Sequence, residues 1–128
     1  MAWLLVFPAF ADAQPNDRLE ARAGRVAEGA IRIDGTLDEP IWRTAPAVTD
    51  FIQAEPDEGE PPTDRMEVRF AYDDGALYVG ARMFSTAPVQ APLSRRDDGG
   101  LAESIQIELD TYLDRRTAYM FGVTAAGV

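Results

Sequence analysis

Arg95, Arg96, Asp97 and Asp98 stand side by side ahead of Gly99-Gly100, with Glu103 close behind and Glu108 and Asp110 further along. Guanidinium forks donate and carboxylates accept in planar, directed hydrogen bonds, so this grouping suits the gripping of a hydroxyl-rich ligand. A loop flanked by glycines is where such contacts sit on a rigid scaffold. The same four residues also read as a solvated cluster that pairs with itself, and Glu108 and Asp110 as plain solvent-facing positions. Rings able to cover the apolar face of a ligand are Trp42, Tyr72, Tyr78, Tyr112 and Tyr119.

Bond-breaking chemistry has less to work with. The chain has no histidine and no cysteine, which removes Ser-His-Asp triads, thiolate nucleophiles, disulfides and the common zinc and haem ligands. A glycoside hydrolase needs two acids across a cleft, one with its pKa raised by apolar surroundings. Acids are abundant here, but none has an apolar sequence context, so the chain is expected not to be an enzyme. A resident cofactor is not expected. Any metal would be an oxygen-liganded ion such as calcium; the acidic run Glu55–Asp64 reads as a solvated loop in preference to a site for one.

Twenty-two acidic against twelve basic residues give a formal charge of -10, which repels phosphate backbones and anionic lipid surfaces. Nucleic acid is therefore excluded as a partner. In 128 residues with 46% hydrophobic content there is room for one ordinary core.

The elements that must position these groups are strands. In "MEVRFAYDDGALYVGARMF", Met66, Val68, Phe70 and Tyr72 alternate with polar residues, and after Asp74-Gly75 so do Leu77, Val79, Ala81 and Met83. A two-residue Asp74-Gly75 turn sets Tyr72 against Leu77, Phe70 against Val79, Val68 against Ala81, Met66 against Met83 and Glu67 against Arg82. That register puts Tyr72 on a buried apolar face and leaves Tyr78 half-exposed with Glu67, Arg69 and Arg82. "SIQIELD" (Ser104–Asp110) and Ala118–Val123 give two more alternating strands. Ile31 and Ile33 suggest a short strand over Ala30–Ile33, and Phe51–Gln53 another. Between them, Thr36 or Asp34 is placed to cap a brief helical turn within 36–43, with Leu37, Ile41 and Trp42 on one face. Trp42 is thereby a core residue before it is a binding ring. Short strands, regular turn signals and no long helix predict an all-β fold, an antiparallel β-sandwich of jelly-roll type, incomplete at the C-terminus.

The front differs in character. "MAWLLVFPAFADA" carries an apolar run and a small-x-small end, which predicts a signal peptide over 1–13 and export. Residues 14–29 read as a linker with room for a turn of helix or a short edge strand, and 30–128 as the domain.

Four blocks, "IRIDGTLDEPIW", "VRFAYDDGALYVGARM", "SRRDD" and "ESIQIELDTYLDRRTAYMFGVTAAGV", resemble in that order the family 9 carbohydrate-binding module. The likeness is greatest to the version at the front of exported bacterial proteins that continue into an outer-membrane β-barrel. Where that family usually has Asp before the strand matching "SIQIELD", this chain has Glu103. The resemblance implies a non-catalytic module that binds a glycan and tethers a larger protein, with a further domain downstream. Its setting would be periplasmic, outer-membrane-associated or extracellular. With carbohydrate as ligand, the residues expected to touch it are Tyr78, Arg95, Arg96, Asp97, Glu103 and Glu108. The alternative is a periplasmic structural or interaction domain of an outer-membrane protein, with no sugar site.

Overall fold

The computed structural model describes residues 20–93, 95 and 101–128. The expected signal segment and the first part of the expected linker lie outside the described residues, as do Arg96 and Asp97. The described chain is β-rich, with one four-residue helix and two small sheets.

The first sheet is built on the hairpin. β2 (Met66–Tyr72) and β3 (Leu77–Met83) pair antiparallel in the register that the alternation requires, Tyr72 on Leu77 through Met66 on Met83. The turn is held by Asp73, whose amide donates to the Ala76 carbonyl at 3.1 Å. Its Oδ1 accepts the Gly75 and Ala76 amides, each at 2.8 Å, and its Oδ2 accepts the Tyr78 hydroxyl at 2.8 Å. β1 (Ala23–Arg25), inside the stretch read as linker, adds to β2 on its other side. It runs parallel to β2, which departs from the all-antiparallel expectation. Further along that edge Val48 makes an isolated antiparallel bridge to Val68.

Between β1 and β2 lies α1 (Ile41–Thr44), shorter and later than the turn expected over 36–43. Pro40 stands at its N-cap and has no side-chain group to cap it, while Asp34, expected as a cap, lies six residues earlier and closes its own turn: its Oδ1 accepts the Thr36 amide at 2.9 Å and the Thr36 hydroxyl at 2.6 Å. Ala30–Ile33 is not a strand. The Arg32 amide donates to the Glu39 carboxylate at 2.9 Å instead of to a neighbouring strand, and Ile33 is 85% exposed while Ile31 is buried. Phe51–Gln53 is likewise irregular. Phe51 N–H bonds the Thr49 carbonyl, and Gln53 closes a loop by exchanging bonds with Gly59 and Glu60.

The core is centred on Trp42, as the Leu37–Ile41–Trp42 grouping predicts, but on the face of the sheet that carries Ala71, not the alternating apolar face of the hairpin. Ile31, Trp42 and Ala71 are its buried centre, with Val26, Leu37, Ile41 and Tyr78 packed around them. Gly24, Ala71 and Gly80 share one face of the sheet, and α1 lies against that face because these residues have little or no side chain. A Cβ on Gly80 would stand 2.9 Å from the Trp42 ring, and one on Gly24 would stand 2.6 Å from Ile41 Cδ1. Tyr78 is half-buried against this core, in line with the half-exposed position expected, while Tyr72, expected inside, is 39% exposed.

The second sheet is β4 (Ser104–Leu109) paired antiparallel with β5 (Tyr119–Thr124). Ile105, Ile107 and Leu109 face Val123, Phe121 and Tyr119 across it, as the alternation predicts. Phe121 and Val123 are nevertheless more than half exposed.

Candidate functional site

Trp42, the ring with the most obvious binding potential, is fully committed to structure. Glu39 follows the Asp34-Gly35 turn, and one carboxylate holds two distant points: Oε1 takes the Arg32 amide and Oε2 takes the Trp42 indole N–H at 2.8 Å. These donors, the Arg32 amide foremost, hold the Glu39 carboxyl below its ordinary pKa. The indole is 6% exposed and its polar atom is satisfied.

Tyr78 is similarly engaged. Its hydroxyl donates to Asp73, and that bond, with burial, raises the phenol pKa. The turn amides, Gly75 first, and the Tyr78 hydroxyl lower that of Asp73. A phenol so placed fixes the hairpin turn, and its half-buried ring borders a cleft beside β3.

Glu103 serves as a loop clamp. Its Oε1 accepts the Gln90 amide at 2.9 Å, its own amide donates to the Gln90 carbonyl at 2.9 Å, and its carbonyl accepts from Ala125. These bonds close the base of the loop that carries Arg95, which is exposed. Glu108 lies further along β4 in a row with Ser104 and Gln106, all three exposed on the face opposite Ile105 and Ile107. That row spans about 13 Å at the rise of an extended strand. Gly122 and Met120 stand across from Gln106 and Glu108, giving the row a low neighbour on β5. At the far end the Asp110–Thr117 loop is tied to its own backbone. Asp110 accepts the Asp114 and Arg115 amides, Asp114 accepts those of Arg116 and Thr117, and Leu113 and Arg115 have positive φ. Tyr112 projects from it 70% exposed.

Glu108 thus lies on β4, Glu103 immediately ahead of it and Arg95 in the loop that leads there, while Tyr78 belongs to the other sheet. Among the described residues no group of three acidic side chains gathers around a possible cation position.

Sequence reading did not find the cleft of about 580 Å³ that opens beside β3. Ile105, Ile107, Phe121 and Val123 form one wall, Val79, Ala81 and Met83 another, and among the described residues Arg32 is its one charged lining residue. Among the described residues no carboxylate lines it. Alternation in β4 and β5 had marked the apolar wall, but the position of Arg32 depends on the loop that Glu39 anchors.

No family model matches the chain, and no curated protein and no solved structure shows significant similarity to it.

Proposed function

We propose that this chain is a non-catalytic carbohydrate-binding module, family 9-like in its sequence blocks, on a sandwich-type β scaffold in an exported protein. The observation that carries the reading is the exposed row Ser104, Gln106 and Glu108 on β4. It runs from the loop bearing Arg95 to the loop bearing Tyr112, Arg115 and Arg116. Hydroxyl, amide, carboxylate and guanidinium groups in line on an open strand face can exchange hydrogen bonds with successive sugar hydroxyls. Exposed Tyr112 offers a ring for a pyranose face. The described carboxylates nearest this surface lack the apolar surroundings that would make one a general acid, which favours holding over cleavage.

Isothermal titration of the full chain against a panel of soluble oligosaccharides tests this. A saturable heat with at least one glycan, lost in Gln106→Ala/Glu108→Ala, is expected. No heat with any glycan sinks the reading. The second reading, an interaction domain, is favoured by a separate feature, the open cleft and the strand edge beside it.

A further inference from the structure

The register of the first hairpin determines which β3 backbone groups are spent. Asp73 and Ala76 are a hydrogen-bonded pair, and Phe84 N–H donates to the Arg65 carbonyl at 2.9 Å at the other end. Every second pair between them is bonded in an antiparallel ladder, so Tyr78, Gly80 and Arg82 turn their amides and carbonyls toward β2. Leu77, Val79, Ala81 and Met83 turn theirs away. β3 has no partner on that side among the described residues, and Val79, Ala81 and Met83 are the three β3 residues of this set that line the cleft. The cleft is therefore bounded by a row of open strand hydrogen-bonding sites as well as by apolar side chains.

We propose that this edge accepts an extended segment of a partner protein as an added strand, with apolar residues alternating with acidic ones. The open backbone calls for an extended occupant. The apolar wall calls for aliphatic side chains on the Val79–Ala81–Met83 side of it. Charge sets the other side. Arg82 lies across from Glu67, but the two Glu67 oxygens are already taken by Arg65 and Arg69. Arg82 and Arg32 make no ion pair among the described residues, and the cleft lining holds no acid. Asp34, close enough to feel Arg32, has turned to Thr36. At physiological salt, charges act over about 8 Å. Glu39 and Asp34 offset Arg32, whereas Arg65, Arg69 and Arg82 share their side of the sheet with the single Glu67 carboxylate and leave the Arg82 side of the edge net positive.

The test uses the full chain and three synthetic seven-residue peptides with blocked ends: alternating Val and Glu, alternating Val and Lys, and the Val/Glu composition with its alternation scrambled. The alternating Val/Glu peptide is expected to bind and to slow hydrogen exchange at the Val79, Ala81 and Met83 amides. Ala81→Pro removes one outward donor while leaving the β2 ladder, since an edge strand tolerates proline at such a position, and should weaken binding about tenfold. Arg82→Glu should reverse the preference between the Glu and Lys peptides, and this arm decides the matter if the proline variant fails to fold. Absence of binding by the Val/Glu peptide at millimolar concentration, equal binding of all three peptides, or binding without protection of the three amides overturns the proposal. So does concentration-dependent protection of those amides without peptide, which would make a second copy the occupant. A glycan that perturbs only Gln106 and Glu108 leaves this edge untouched, so the two readings fail separately.

Discussion

The three-stranded sheet and the β4–β5 hairpin have equally regular alternation, yet only the sheet owns a core. In the sheet, Ala71 is wholly buried and Trp42 nearly so, because α1 is laid over a patch of small residues, and Val68 on the other face is 6% exposed. In the hairpin, five of the six β5 residues are exposed, and Tyr119, Phe121 and Val123 each keep more than half their surface in water. Alternation makes a strand and sets its register. Whether the apolar side is covered depends on a second element that can approach closely, and the sheet has one while the hairpin borders a cleft.

Substitutions in the two regions should diverge most at their largest rings. Trp42→Ala removes a buried, hydrogen-bonded indole and is expected to cost about 3–5 kcal/mol in chemical denaturation. Phe121→Ser, on the exposed hairpin face, should stay within about 0.5 kcal/mol. A Phe121 effect as large as that of Trp42 would show that the hairpin face is covered in solution and break the contrast. Gly80→Ala drives a methyl into the flat of the Trp42 ring, with Leu37 Cδ2 also at 3.0 Å, and should cost about 1–3 kcal/mol. Gly24→Ala meets only the mobile end of Ile41 at its closest contact, so its thermal shift should be the smaller of the two.

Hydrogen exchange sharpens the comparison at the level of whole elements. An isolated two-stranded hairpin is marginal in water, so the β4 and β5 amides should exchange through local opening well before those of Ala71 and Tyr78. Exchange of both sheets at one common rate would mean that they unfold as a unit.

The smallest expected effect is on pH. Asp73 and Glu39 in the sheet, and Asp114 in the hairpin loop, all have folded pKa values below their ordinary 3.8 or 4.5. The folded chain therefore binds fewer protons than the unfolded one, and the stabilisation is present above those values and lost as pH falls through the folded ones. Stability should be flat above about pH 5.5 and decline below about pH 4.5. Glu39→Gln should reduce the slope of that acid limb, and an unchanged slope would show that the bonds to Arg32 and Trp42 do not discriminate between charge states.

Much of the strand arrangement could be read directly from residue types. The Asp74-Gly75 turn and the strict period of two on either side admit one register, and the structure has it. The covered face could not be read the same way, because Gly24, Ala71 and Gly80 contribute little to a hydropathy pattern yet are what admits α1. β1 is three residues long and parallel to a partner far along the chain, so no local pattern announces it. Ile31 and Ile33 alternate like a strand, but Glu39 captures the intervening amide. The candidate site shows the same division. Glu108 belongs to an alternating strand and its exposure was legible, whereas Glu103 and Tyr78 are drawn into loop and turn contacts that depend on where Gln90 and Asp73 arrive.

The contact between Gly80 and Trp42 has a magnetic consequence. An aromatic ring shields nuclei held over its face, and the Gly80 α-proton that occupies the Cβ direction points at the indole at close range. Its resonance should lie well upfield of ordinary glycine protons whenever the sheet and α1 are docked, and return to the random-coil position when they part. One proton on an edge strand, far from the β4–β5 hairpin in sequence, would then report the docking of α1 on the sheet and, because Gly80 and Trp42 both line the cleft, an occupant there as well.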